Sequence, residues 1–380
     1  MKKILFISQT SFFGGAEIVL CDYLNSANKN MQSYLITSSK DNIKKRYESI
    51  LLNTKIYSYK FLEQISIRKK PIKTLIYLFF TIYYMHKIIK KENIDIIYGN
   101  NTVDIVAVTL YKKLLNNNII VIQHIHDILQ RKIYLKYINR YDYLIDAYIV
   151  PSTAGKNSFF KYVKNQKKIF VVYNGVSTKR NLKNINNLDI YRKYKIPSNK
   201  KIIAFIGQIT KRKRLDLFID IVNGLNEKNN KYFGIIIGNS MIDKIYYEEQ
   251  YNRLNGNFKY LGELPRKLLL EEIYPMIDFL MLTSDRDPLP TVILEAMNFG
   301  AIVLSRNVDG VSDIINDGID GILWNYNDNL SMIIDKLDKY LNDEEKLICI
   351  RNNAYKKIDL KFNSNIKVEL INKIINNIFK

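Results

Sequence analysis

Cysteine is nearly absent from this chain of 380 residues: Cys21 and Cys349 stand alone and far apart. Two such thiols build neither a disulfide scaffold nor a cysteine-rich metal site, and they suit a reducing compartment. Histidine is as scarce, with only His86, His124 and His126, so no structural metal site is expected. Acids are outnumbered, 37 Asp and Glu against 58 Lys and Arg, which leaves a formal charge of +21 at pH 7. That excess attracts anionic lipid or nucleotide-linked substrates at long range, although the abundant Asn, Ile and Tyr fit an AT-rich genome equally well. Nucleic acid is not an expected partner, since no nucleic-acid motif appears. No apolar run reaches the ~20 residues that cross a bilayer. The opening Met1-Lys2-Lys3-Ile4-Leu5-Phe6-Ile7-Ser8 has too short an apolar stretch for a secretory signal and reads as a first strand. A Gly-x-Gly-x-x-Gly loop and solenoid-period repeats are missing too.

What is present is a globular composition, 47% apolar and 25% charged, in a chain long enough for two domains. The most informative stretch runs from Thr283 to Gly300. Apolar runs Phe279–Leu282 and Ala301–Leu304 flank it, both of buried-strand length. Pro288 and Pro290 forbid helix before about Thr291, Val292–Phe299 can be helical, and Gly300 supplies a stop. The result is a βαβ crossover whose loop lies at the carboxyl end of a strand, where open parallel sheets bind ligands. Amides near Leu289, Pro290 and Thr291, at a positive helix end, suit a phosphate. Two readings fit the carboxylates of Asp287 and Glu295: acceptors for sugar hydroxyls, or a turn cap and a dipole partner.

Asp287, seven intervening residues, Glu295 and then Ala296-Met297-x-x-Gly300 together resemble the signature of retaining glycosyltransferases of family 4, which have the GT-B fold. The family usually has Glu where this chain has Asp287. Gly14-Gly15-Ala16-Glu17, after the first strand, is similar to the family's N-terminal loop, which faces donor phosphate and acceptor. His126-Asp127, just past the Ile119–Ile122 strand, resembles the place where a family histidine contacts the donor sugar. Tyr173-Asn174-Gly175-Val176 looks like the join between domains. After Gly207 the family carries an Arg and, further on, a Lys; Lys213 fits the second, whereas Gln208 replaces the first, with Arg212 or Arg214 as substitutes. From residues alone, the Lys211-Arg212-Lys213-Arg214 run also reads as a solvated basic loop.

The resemblance implies an α/β protein of two Rossmann-like domains facing a cleft. The expected boundaries are 1–176 for the acceptor domain, 177–362 for the donor domain and 363–380 for a helix returning to the first. A polar linker and the start of the second domain are expected over 177–199. The implied activity needs no cofactor and no metal: it is retaining transfer from a nucleoside-diphosphate sugar, UDP before GDP, to a glycan or lipid-linked acceptor of bacterial cell-surface polysaccharide such as capsule or lipopolysaccharide. Glu295 is expected on the ribose, Lys213 on the diphosphate, and Asp287 and His126 on the sugar. A non-catalytic nucleotide-sugar-binding subunit and a GT-B epimerase or hydrolase are the alternatives. Between Leu62 and Lys91 an apolar core of about a dozen residues is flanked by Lys and Arg. It reads as a core helix, or as an interfacial one that would make a cytoplasmic protein peripheral at the inner membrane face.

Overall fold

The structure is a computed structural model that describes residues 2–10, 13–26, 31–60, 62, 71–178, 187–239 and 243–379. Ser11, Phe12, Arg68, Lys69, Lys70 and the 179–186 part of the expected linker lie outside the described residues. The chain divides into two compact units, Met1–Asn174 with Ser364–Lys380, and Gly175–Asn363.

Unit 1 alternates β1 (Lys2–Ser8), α1 (Gly15–Ser26), β2 (Met31–Ser38), α2 (Asp41–Ile50) and β3 (Thr54–Tyr59). It continues with α3 (Pro71–Glu92), β4 (Ile96–Gly99), α4 (Asp104–Leu115) and β5 (Ile120–His124). The remaining elements are α5 (Lys132–Tyr141), β6 (Ala147–Val150), α6 (Thr153–Phe159) and β7 (Ile169–Val171). Among the described residues these strands form one parallel sheet of order β3-β2-β1-β4-β5-β6-β7. Strands covered on both faces are written as unbroken apolar runs, and β1 shows why. Ile4 and Phe6 enter the core on one face, Leu5 and Ile7 the core on the other, following the two-residue period of a strand.

Unit 2 contains α7 (Asn187–Tyr194), β8 (Lys201–Ile206), α8 (Leu215–Asn229), β9 (Tyr232–Ile237), α9 (Lys244–Tyr251) and β10 (Phe258–Gly262). Next come the helical turns α10 (Arg266–Leu268) and α11 (Tyr274–Met276), joined by a π-helical segment at Leu269–Ile273. Pro275 cannot donate a backbone hydrogen bond, and a π turn beside it is a familiar adjustment. The unit goes on through β11 (Phe279–Leu282), α12 (Thr291–Asn298), β12 (Ile302–Arg306), α13 (Val311–Ile314) and β13 (Ile322–Trp324). It closes with α14 (Leu330–Leu341) and α15 (Glu344–Lys361). Its sheet is also parallel, in the order β10-β9-β8-β11-β12-β13.

α16 (Ser364–Ile378) belongs to unit 1, where Val368, Ile371, Ile374 and Ile375 pack with Leu20, Tyr23 and Leu24 of α1. Residues 187–194, in the stretch read as a linker and the start of the second domain, form α7, because Ile190 is buried and the Tyr191 hydroxyl donates to the Met276 carbonyl at 3.3 Å. Among the described residues, no helix is long and apolar enough to cross a membrane, and neither Cys21 nor Cys349 is in a disulfide.

Candidate functional site

In both sheets the strand order reverses once, between β1 and β4 in unit 1 and between β8 and β11 in unit 2. Loops leaving the two strands of such a switch diverge, and the crevice between them is where open α/β sheets take ligands.

In unit 2 the two loops are Gly207–Arg214, after β8, and Thr283–Pro290, after β11. Their main side-chain link is the pair Lys213 Nζ to Asp287 Oδ2 at 2.6 Å, with only 14% and 10% of the two side chains exposed. A charge pair this dry holds because each member compensates the other. The Asp287 backbone is fixed as well: its N–H donates to Asp309 Oδ2 at 3.0 Å and its carbonyl accepts from Gly310 N at 3.2 Å. Burial raises the Asp309 carboxyl above its ordinary range, more than Arg286 beside it lowers it. Thr283 ties the loops a second time by donating to the carbonyls of Lys213 and Arg214, at 2.9 and 2.8 Å.

The two arginines considered as stand-ins behave differently. Arg214, in a left-handed conformation at φ 54°, is engaged by Asp216 at 2.8 Å and Asp285 at 3.5 Å. Arg212 is exposed and donates to the Arg286 carbonyl at 2.6 Å, one residue from Asp287. Gln208 is half-buried next to Gly207, whose N–H donates to the Ile237 carbonyl.

α12 begins at Thr291 with Pro290 as its N-cap, and Leu289 is buried just before it. The first-turn amides of any helix lack acceptors within it, so they point at whatever occupies the crevice. Glu295, one turn on, is 7% exposed. Arg266 donates to its Oε1 at 3.0 Å and Tyr274 to its Oε2 at 2.7 Å. Arg266 Nε also donates to Oε1, at 3.3 Å, so Oε1 is filled while Oε2 retains a lone pair, and the clamp fixes the group and leaves it able to accept a further hydroxyl. The Tyr274 ring stacks on Phe299 at 5.9 Å, which anchors the clamp to the end of the same helix.

In unit 1, Gly14 and Gly15 stand at the start of α1. Glu17 points inward and holds the loop: it accepts from Gly14 N at 2.9 Å, Asn101 Nδ2 at 3.2 Å and Ser8 Oγ at 3.4 Å. Burial raises its carboxyl despite these donors. A Cβ on Gly15 would meet open space, so its value is not steric at that atom. His126 lies two residues beyond β5. Its Nε2 faces Asn100 Oδ1 at 3.2 Å; an amide oxygen only accepts, so Nε2 carries the hydrogen. The ring packs, tilted by 31°, against that of His124 with centroids 3.8 Å apart, and His124 Nδ1 meets the Tyr98 hydroxyl at 2.9 Å. Burial first, and Lys367 second, push the His126 imidazole down to about 3. Lys367 comes from α16, is itself buried, and donates to the Val19 carbonyl at 3.1 Å.

Thus unit 2 brings together Gly207, Gln208, Arg212, Lys213 and Asp287 at its switch point, with Leu289, Pro290, Thr291 and Glu295 on the α12 side. Gly14, Gly15, Glu17 and His126 belong to unit 1. Sequence reasoning missed Arg266, Tyr274, Asp309 and Lys367. Arg266 and Tyr274 precede Glu295 by whole elements, and no local spacing marks the pairing.

The family model for glycosyl transferases group 1 matches residues 186–357, and that for glycosyltransferase family 4 matches 13–180. The chain belongs to the group 1 glycosyltransferases, of GT-B fold. An uncharacterized glycosyltransferase of Methanocaldococcus jannaschii is 29% identical over 54% of this chain and 53% of its own length. The capsular polysaccharide biosynthesis glycosyltransferase CapM of Staphylococcus aureus is 24% identical over 52% and 51%. The chain thus spans about half the length of these curated relatives. Among solved structures, Anabaena HepE in complex with UDP and glucose superposes with a TM-score of 0.81 at 18% identity, covering 99% of this chain and 100% of that one. At that identity the likeness concerns the fold: an α/β chain of two Rossmann-like units.

Proposed function

We propose that this glycosyltransferase moves a sugar from a nucleoside-diphosphate sugar, UDP-linked before GDP-linked, to a glycan or lipid-linked acceptor, with retention of anomeric configuration. The observation that carries the reading is Glu295, clamped by Arg266 and Tyr274 one turn into α12, in the same unit as the Lys213–Asp287 pair. A carboxylate held this way can accept a ribose hydroxyl at Oε2, and the amides at the start of α12 suit the phosphates. Lys213 offsets the charge that grows on the departing diphosphate, the task for which a metal would otherwise be needed. Among the described residues there is no cluster of potential metal ligands. Asp287 shares the Lys213 ammonium and orients the sugar. In unit 1, the neutral His126 imidazole, with its N–H directed to Asn100, offers Nδ1 as an acceptor for a sugar hydroxyl, and the Gly14-Gly15 loop receives the acceptor.

UDP is favoured because HepE was solved with UDP and with UDP-glucose, and TarM of S. aureus with UDP. The capsular relative suggests a cell-surface polysaccharide as product. With a lipid-linked acceptor the enzyme would work at the inner face of the membrane, as a peripheral protein. The test is incubation of the protein with UDP-glucose and related donors, with and without acceptor glycolipid, in the presence of EDTA. An α-linked product from an α-linked donor, formed only with acceptor and by NMR of retained configuration, is expected. Sugar released or epimerised without any acceptor would instead indicate a hydrolase or epimerase.

A further inference from the structure

α3 carries apolar side chains on two faces, and only one of them is covered. Leu78, Ile82, Met85, Ile88 and Ile89 pack into the core of unit 1. On the other side Ile72, Leu75, Ile76, Phe79 and Tyr83 are between 46% and 74% exposed. Their spacing, i, i+3, i+4, i+7 and i+11, aligns them in one stripe about 100° wide over the first three turns. Four and seven residues after Tyr83, the same line reaches Lys87 and Lys90, both exposed. A contiguous apolar stripe of this extent on a folded surface marks an interaction site.

We propose that the outer face of α3 is a docking surface for an anionic lipid bilayer, its apolar turns entering the acyl boundary and its lysines meeting the headgroup phosphates. This rests on the reading of the protein as a peripheral membrane enzyme and names the surface that would make it one. Charge selects the occupant. A second copy of the chain would bring the same lysines and a net +21 against one another, whereas an anionic bilayer gains from both. The single acid of α3, Glu92, does not oppose this, because Tyr57 and Lys55 hold its Oε1 at 2.5 and 2.9 Å. Long lysine stems can reach headgroups while the helix lies flat, and Tyr83, at the end of the apolar turns, suits the interface between the two zones.

The experiment is co-sedimentation of the full chain with phosphatidylcholine vesicles, with and without phosphatidylglycerol, for wild type, Leu75→Glu/Phe79→Glu and Lys87→Glu/Lys90→Glu. The expected result is wild-type binding that requires phosphatidylglycerol and weakens with salt, reduced at least ~10-fold in each double variant. All substituted positions are exposed, so the variants should melt like wild type and keep any stabilisation by UDP. Three results overturn the proposal: wild type that ignores the vesicles, variants that bind as wild type does, or a wild-type dimer in sedimentation equilibrium that the Leu75/Phe79 variant breaks. The last would assign the stripe to a second copy. Vesicle binding with no response to UDP would leave this surface standing and remove the donor-site reading alone.

Discussion

At the scale of single residues, the site depends on buried charges that compensate each other. Replacing Lys213 with Ala leaves Asp287 with a buried carboxylate and removes the cation proposed for the diphosphate. We expect turnover to fall ~100-fold, about the effect of losing one electrostatic donor, as measured by release of UDP. Turnover at the wild-type rate would move the role to Arg212, since Arg214 is already held by Asp216 and Asp285. Lys367 supports a different expectation. Burial lowers its ammonium from 10.5 to about 8, so between those values the unfolded chain holds a proton that the folded chain does not. Stability contributed by this group therefore rises with pH across that window and is flat below it. Relative to Lys367→Met, which has nothing to titrate there, wild type should gain up to roughly 3 kcal/mol between the two ends, read from urea unfolding. A constant difference would mean that the ammonium is not desolvated. Partners of this kind were illegible in the sequence. Lys213 and Asp287 were each singled out by motif, but the 2.6 Å contact joins residues on different loops, and nothing local to Lys367 sets it apart from the other lysines.

At the scale of elements, the β11–loop–α12–β12 crossover was legible because covered parallel strands are solid apolar runs and because Pro290 and Gly300 punctuate the helix. Gly300 has φ 87°, and a Cβ there would strike the Tyr355 hydroxyl. By contrast β3, Thr-Lys-Ile-Tyr-Ser-Tyr, is an edge strand that is mostly half-buried, so its sequence lacks such a run. β13 has only three residues, and α7 sits in a polar stretch where one buried isoleucine decides its place. Close backbone approach also shapes unit 2. Gly238 ends β9 with a Cβ direction aimed at the Gly207 carbonyl, so any side chain there must push the β8 loop away. Gly238→Ala should cost at least ~2 kcal/mol, because backbone rather than a flexible side chain has to yield, and should weaken nucleotide binding through the displaced loop. An unchanged unfolding midpoint in denaturant would show that the approach is relaxed in solution.

At the scale of the whole molecule, the chain leaves unit 1 at Asn174 and re-enters it at Ser364, so unit 1 is discontinuous and unit 2 is not. Removing residues 364–380 should strip α1 of the α16 side chains Val368, Ile371, Ile374 and Ile375. Each buried aliphatic side chain contributes about 1.5–3 kcal/mol, so the truncated protein is expected to lose the unfolding transition of unit 1 at lower temperature while unit 2 keeps its own. Identical melting curves by calorimetry would contradict that division. Two parallel sheets, each with one reversal of strand order, were foreseeable from the family resemblance, yet only the coordinates show which carboxylates are clamped and by what. The most direct measurement is therefore a thermal-shift panel of UDP, GDP, ADP, CMP and dTDP, with and without Mg²⁺, on wild type and Glu295→Ala. A ligand at ~100 times its dissociation constant adds about 2.7 kcal/mol to the folded state. The account predicts a metal-independent shift with UDP and its loss or strong reduction in the variant, corresponding to a ~10- to 100-fold weaker dissociation constant. No shift with any nucleotide, or an equal shift in the variant, would contradict the role assigned to Glu295.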